Sequence, residues 1–187
     1  MTAHADSAGG RHQPAGGQAA VRRIVLALGS NLGDRLANLQ AGLDVLCAGP
    51  GLASPAVSPV YETSPVGGPA QGDFLNAVLV AASALPARSV LDRCRAAEAA
   101  RQRVREQAWG PRTLDVDVIA CGDEISDDPE LTLPHPRAYQ RAFVLAPWRD
   151  LDPEAAIPGR GRISELLTAA GMLGVRRLRD VHLRPCG

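Results

Sequence analysis

The chain has 187 residues, and twenty arginine-plus-lysine residues balance twenty aspartate-plus-glutamate residues, so its formal net charge is zero. That balance, with only 3% aromatic residues, argues against a general nucleic-acid or membrane-surface binder, which normally has a basic excess. The length is typical of one domain, and no apolar run approaches the roughly 20 residues needed to cross a bilayer.

Residues 1–20 are rich in Gly, Ala and polar residues and lack the apolar region of a signal peptide. We therefore expect a disordered leader over residues 1–20, a single domain over residues 21–187 and a cytoplasmic location. The cysteines have no zinc-type spacing, so we interpret them as free thiols in a reducing compartment. They are Cys47, Cys94, Cys121 and Cys186.

The first half of the chain predicts a strand, a helix and two more strands. Residues 22–30 are an apolar strand, and a turn follows in which we interpret Gly29 and Gly33 mainly as turn glycines. Leucines at three- and four-residue steps predict a helix over residues 35–48, capped by Asp34 or Asn31.

A second strand ends near Tyr61, and after a long Gly/Pro loop a third begins at Phe74. Asn76 shares a face of this strand with Val78 and Val80. It is either a core amide with backbone partners or a ligand contact, and the core interpretation is the safer one.

Proline at position 86 opens a predicted helix over residues 86–102, and a basic loop leads to a strand over residues 113–121. Asp115 and Asp117 lie on one face of that strand, roughly 6–7 Å apart. They belong either to a solvated outer face or to a site for a divalent cation, which would relieve their repulsion.

Two helices complete the pattern, an apolar one around residues 143–148 and an amphipathic one over residues 162–171. The order βαββαβ followed by helices predicts an α+β sandwich with one sheet covered by helices. Every basic residue is arginine, so a P-loop lysine and a Schiff-base lysine are both excluded.

Five arginines flank the carboxylate strand and its following turn. Guanidinium groups and magnesium both suit polyphosphate, so these residues together indicate a magnesium–nucleotide site without a P-loop. The arginines are Arg103, Arg105, Arg112, Arg137 and Arg141.

Four segments closely resemble the 6-hydroxymethyl-7,8-dihydropterin pyrophosphokinases of folate biosynthesis. They lie within about residues 22–155, and WGPRTLDVD is the most specific run, whereas the chain past Pro153 matches weakly and is given no role. The segments are GSNLGDR (29–35), YETSPVGGPAQGDFLNAVL (61–79), RVREQAWGPRTLDVDVI (103–119) and LTLPHPRAYQRAFVLAPW (131–148).

The resemblance implies a ferredoxin-like α+β sandwich, mainly an antiparallel sheet covered by helices. It implies a diphosphokinase that transfers the terminal diphosphate of ATP to the hydroxymethyl group of the pterin and releases AMP. Its partners would be these small molecules, with no nucleic acid, no membrane and no obligate protein partner.

The resemblance also implies roles for individual residues. Asp115 and Asp117 would hold two magnesium ions, and with Arg103 and Arg112, which would contact the transferring diphosphate, they are the expected catalytic residues. The loop 102–112 would close over ATP and exclude water. Residues expected at the ATP site are Glu98, Arg105, Trp109, Val118, Thr132, His135 and Arg141. Residues expected in the pterin pocket are Thr63, Val66, Phe74, Asn76 and Phe143.

Two alternatives remain open at the level of sequence. A nucleotidyl- or glycosyltransferase would also use an Asp-x-Asp pair, but it gives no account of Asn76, Phe143 or Trp109. A ferredoxin-like RNA-binding module would need aromatic residues on its sheet and a basic face, which this composition does not provide.

Overall fold

The computed structural model describes residues 20–65, 69–101 and 110–186. The strands are β1 (Arg22–Ser30), β2 (Ala53–Val57), β3 (Tyr61–Thr63), β4 (Phe74–Ser83), β5 (Asp115–Cys121), β6 (Ser126–Asp128), β7 (Leu131–Leu133), β8 (Ala156–Ile157), β9 (Gly161–Arg162) and β10 (Val175–Arg177). The helices are α1 (Arg35–Cys47), α2 (Ala87–Ala100), α3 (Ala142–Leu151) and α4 (Ile163–Ala170), with a 3-10 turn at Ala138–Gln140.

One sheet organises the molecule. Its strands lie in the order β10-β3-β4-β1-β5, with β2 also paired to β4, while β6–β7 and β8–β9 form separate ribbons. Every pairing between the described strands is antiparallel. The predicted α+β class, with a mainly antiparallel sheet covered by helices, is therefore confirmed.

Helices cover both faces of this sheet and create two cores. On one face α1 and α2 bury the apolar side chains of the first core, among them Leu39, Leu43 and Leu46, which the helical periodicity predicted. On the other face α3 and α4 bury a second core that includes Val78 and Leu145. Apolar burial on both faces explains why most of β1 and β4 is apolar rather than alternating.

The strand predicted to end near Tyr61 is two short strands, β2 and β3, because Pro59 has no N–H to donate to the ladder. Ser58 completes the pairing at the break. Its N–H donates to the Val78 carbonyl at 2.9 Å, and its Oγ accepts from the Val78 N–H at 2.9 Å.

The C-terminal segment, which the sequence left without a role, returns to the rest of the fold. β10 adds to β3, and Leu183 is buried in the first core. Cys47 and Cys186 form a disulfide with their Cα atoms 5.8 Å apart, so the prediction that all four cysteines are free was wrong. Their separation of 139 residues hides this proximity from any local spacing rule. Cys94 and Cys121 are free and buried.

No helix in the described ranges has the length and apolar character that a membrane span requires. Residues 1–19 of the predicted leader lie outside the described residues, so the leader and the single-domain boundary stay predictions.

Asp34, one of the two residues predicted to cap α1, is its N-cap residue, and its capping hydrogen bond predicts an effect on stability. Its Oδ1 accepts a hydrogen bond from the Ala37 N–H at 3.0 Å. Asp34→Ala should lower the free energy of unfolding by about 1 kcal/mol, because the first turn loses a partner for a free N–H. Asp34→Ser should retain most of that stability in the same urea titration. Equal stability of wild type and Asp34→Ala would contradict the capping role.

Candidate active site

The central strand β1 brings the predicted metal and pterin residues to one end of the sheet. Gly29 pairs with Asn76 on one side and with Asp115 on the other, so the three residues share a face. Given the spacing of neighbouring strands, Asn76 and Asp115 lie about 10 Å apart. One row further, Ala27 pairs with Asp117, which places the second carboxylate beside the first.

The two carboxylates have cationic neighbours. Arg112 Nη1 donates to Asp115 Oδ2, and Arg141 Nη1 lies 3.7 Å from Asp117 Oδ2. Partial burial and the neighbouring charge of Asp115 raise the pKa of Asp117 to about 6. The Asp117 side chain nevertheless retains 40% of its exposure, so it is accessible to a ligand. A cation bound between the two aspartates would favour their ionised forms.

His135 stands beside Asp117 as a neutral group. Its backbone N–H donates to the Ile119 carbonyl at 2.9 Å, and its Nδ1 accepts from the Arg137 N–H at 3.2 Å. The ring proton is therefore assigned to Nε2, which lies 3.9 Å from Asp117 Oδ2. Burial and the charges of Arg141 and Arg137 lower the pKa of His135 to about 4. At neutral pH the imidazole is a hydrogen-bond donor and not a cation.

The predicted pterin residues gather around the start of β4. Asn76 Nδ2 donates to Thr63 Oγ1 at 2.8 Å, and both residues are buried. Phe74 is half-buried two residues earlier on the same strand. Phe143 lies in the first turn of α3, which packs on β4, and the Arg141 guanidinium is 5.5 Å from its ring centroid. The hydrogen bond to Thr63 satisfies one N–H of the Asn76 amide.

Gly29 is a strand residue, so its interpretation as a turn glycine was wrong; only Gly33, with φ of 61°, has the predicted turn conformation. A Cβ at Gly29 would lie 3.1 Å from Asn76 Oδ1 and 3.8 Å from Phe74 Cδ1. Gly29 is buried, so an added methyl group would press on the Asn76 amide oxygen, and glycine leaves that amide its room beside β1.

The other described ATP-site candidates surround β5. Glu98 Oε1 accepts from the Val116 N–H at 2.9 Å and ties α2 to the carboxylate strand. The Val118 side chain is buried in the first core, so its contact with a nucleotide would come from its backbone. Thr132 Oγ donates to the Asp128 carbonyl at 3.1 Å. The candidates outside the described residues are Val66, Arg103, Arg105 and Trp109.

Sequence reasoning missed the role of Asn31, which it considered only as a helix cap. The Asn31 side chain is buried; its Oδ1 accepts from the Arg112 N–H at 2.7 Å, and its Nδ2 donates to Gln71 Oε1 at 2.9 Å and to the Gly72 carbonyl at 3.2 Å. It thus joins the segment before β4 to the segment before β5. The signal available in the sequence was an amide placed directly after an apolar strand.

The sequence matches a protein-family model described as 7,8-dihydro-6-hydroxymethylpterin-pyrophosphokinase (HPPK) over residues 25–153, which include every predicted site residue. The chain belongs to the HPPK family. This membership confirms the resemblance and the predicted diphosphokinase activity in folate biosynthesis, and it decides against the two alternatives.

Curated relatives of this HPPK-family chain agree. The 2-amino-4-hydroxy-6-hydroxymethyldihydropteridine pyrophosphokinase of Mycobacterium bovis is 48% identical over 149 residues, covering 74% of this chain and 77% of the relative. The protein of the same name from Pseudomonas aeruginosa is 39% identical over 158 residues, covering 84% of this chain and 98% of the relative.

Solved structures show the same fold. Wild-type Plasmodium falciparum HPPK-DHPS with SDX-DHP superposes with a TM-score of 0.61 at 15% identity, covering 80% of this chain and 44% of that one. This HPPK-family chain thus spans less than half the length of that protein.

The close approach of Gly29 to the Asn76 amide predicts a selective effect on pterin. Gly29→Ala should raise the KM for 6-hydroxymethyl-7,8-dihydropterin about tenfold, because the added Cβ crowds the Asn76 amide. The KM for ATP serves as the internal control and should stay unchanged in the same steady-state assay. An unchanged pterin KM would show that pterin binding does not depend on the position of the Asn76 amide.

Proposed function

We propose that this chain transfers the terminal diphosphate of ATP to 6-hydroxymethyl-7,8-dihydropterin across the end of β1, with Asp115 and Asp117 as magnesium ligands. The observation that carries this proposal is the pairing of Gly29 with Asn76 and Asp115. This pairing places the Asn76 amide, which suits a pterin, about 10 Å from the Asp115 carboxylate, which suits a metal. ATP binds on the carboxylate side, and pterin binds on the amide side.

The carboxylates fit magnesium. Within the described ranges no group of three or more His, Cys, Asp or Glu side chains is placed to hold a metal. Magnesium usually takes only one or two protein carboxylates and completes its octahedron with phosphate oxygens and water. Asp115 and Asp117 would hold two ions, which neutralise charge on the phosphate oxygens when bound.

Arginines supply the remaining positive charge around ATP. Arg112 already lies at Asp115, and Arg141 lies at Asp117, so each guanidinium can contact phosphate oxygens close to the carboxylates. His135, which is neutral, contributes an N–H donor without adding charge. Glu98, Val118 and Thr132 complete the described part of the ATP site.

The pterin side provides shape and hydrogen bonds. Pterin is a flat ring with an amide-like edge, so it suits the Asn76 amide, held by Thr63, and the rings of Phe74 and Phe143. Bound there, its hydroxymethyl oxygen faces the carboxylate side. That oxygen attacks the β-phosphorus of ATP and releases its proton to water, the bond from the β-phosphorus to the oxygen bridging to the α-phosphate breaks, and AMP leaves.

For the residues outside the described ranges we propose the roles that the resemblance implies. Arg103 would contact the transferring diphosphate, Arg105 and Trp109 would line the ATP site, and Val66 would line the pterin pocket. The protein acts in the cytoplasm, where ATP is available, on small molecules and without an obligate protein partner.

Nucleotide chromatography after incubation with magnesium and ATP tests the reaction. AMP should appear only when 6-hydroxymethyl-7,8-dihydropterin is present, since the diphosphate needs its acceptor. ADP in place of AMP, or AMP formed without the pterin, would contradict the proposal.

The metal assignment has its own test. Asp115→Asn and Asp117→Asn should each lower kcat at least about 1,000-fold, because bound metal contributes several kcal/mol to the transition state. Asp123→Asn is the matched control, since Asp123 is exposed just beyond the other end of β5 and should not affect kcat. Full activity in either of the first two variants, with Mn²⁺ binding by electron paramagnetic resonance unchanged, would refute the assignment.

A further inference from the structure

A cluster of three charged side chains holds the strand that presents Thr63 to the pterin pocket. It consists of Glu62 on β3, Arg35 at the start of α1 and Arg176 on β10. We propose that Glu62 is a positioning residue for the pterin substrate, and that the C-terminal strand β10 acts with it. This inference rests on the pterin pocket of the proposed function.

Arg35 ties together the two ends of the connection between β3 and β4. Its Nη2 donates to Glu62 Oε1 at 3.0 Å, and its Nη1 donates to the Asp73 carbonyl at 2.8 Å. From the other side Arg176 Nη2 donates to Glu62 Oε2 at 2.5 Å. These hydrogen bonds, that of Arg176 foremost, hold the pKa of Glu62 below its usual value, so the carboxylate stays ionised.

The backbone of β10 also holds β3 and the residue that follows it. Val175 pairs with Thr63, and the Ser64 N–H donates to the Gly174 carbonyl at 3.0 Å. β3 is only three residues long and would be an edge strand without this partner. β10 also lies beyond residues 25–153, the part of the chain that matches the family model. A segment outside that match thus forms part of the wall behind the pterin pocket.

The cluster acts on pterin through Thr63. Neighbouring side chains of a strand point to opposite faces, so Glu62 lies on the face away from the pocket and does not touch substrate. Thr63 Oγ1 accepts from Asn76 Nδ2 at 2.8 Å and orients that amide. A looser β3 therefore weakens pterin binding, while the carboxylates on β5, two strands away from β4, keep their positions.

Steady-state kinetics of substituted proteins tests the role. Glu62→Gln should raise the pterin KM about fivefold, the effect of about one lost hydrogen bond, with kcat and the ATP KM within twofold of wild type. Arg176→Ala should act in the same direction, and Arg176→Lys should restore the pterin KM because one donor suffices. Arg35→Ala should also raise the pterin KM, and Arg35→Lys should not restore it. A lysine ammonium cannot donate to both Glu62 and the Asp73 carbonyl as the two guanidinium nitrogens do.

The control is Arg184→Ala. Arg184 belongs to the same C-terminal segment and pairs with Asp44 on α1 at 3.7 Å, and it forms no ion pair with Glu62 or any other described residue of β3 and β4. It should leave the pterin KM unchanged. If Glu62→Gln instead changes kcat and both KM values equally, or changes only the melting temperature, the positioning role is overturned.

Hydrogen exchange separates this inference from the proposed function. In the absence of substrates, Glu62→Gln should speed amide exchange at least about fivefold in residues 60–65 and 72–77, and Arg184→Ala should not. If wild type releases no AMP, the proposed function fails, but the exchange data still test whether the cluster holds β3 in place. Unchanged exchange in both segments of Glu62→Gln would overturn the inference whatever the activity.

Discussion

The pairing of β1 with β4 on one side and with β5 on the other is the constraint on which the site depends. Because all three strands are antiparallel neighbours, the segments that enter β4 and β5 meet where β1 ends. A one-residue slip of register would turn Asn76 or Asp115 to the opposite face of the sheet. Apolar burial on both faces makes such a slip costly, so the two cores that stabilise the fold also hold the geometry of the site.

The charges around Asp115 and Asp117 are the second feature on which the site depends, after the strand register. Two aspartates on one strand face repel each other, and the protein balances them with guanidinium groups from two directions, Arg112 and Arg141. His135 stays neutral, so it does not compete with a metal for the carboxylates. Phosphoryl-type transfer needs chiefly positioning and charge neutralisation, and under the proposed function these residues would supply both with no lysine anywhere in the chain.

Local patterns in the sequence were sufficient to predict much of this structure. The alternation that puts Asp115 and Asp117 on one face is a property of any strand, and the leucine spacing of α1 is a property of any amphipathic helix. Apart from the break that Pro59 makes between β2 and β3, the features that sequence reasoning missed depend on contacts between distant segments. The close approach of Gly29 to Asn76 is set by strand pairing, and the pairing of β10 and the Cys47–Cys186 disulfide join segments more than 100 residues apart.

The central claim is that metal and pterin occupy the two sides of one glycine on one sheet face. Nuclear relaxation of the pterin hydroxymethyl protons tests it most directly, with Mn²⁺ replacing magnesium and the non-reactive analogue α,β-methylene-ATP replacing ATP. If the account is right, the bound metal shortens the relaxation times of these protons as expected for a separation of about 10 Å or less. Relaxation that Mn²⁺ leaves unchanged, with both ligands shown to be bound, would contradict it.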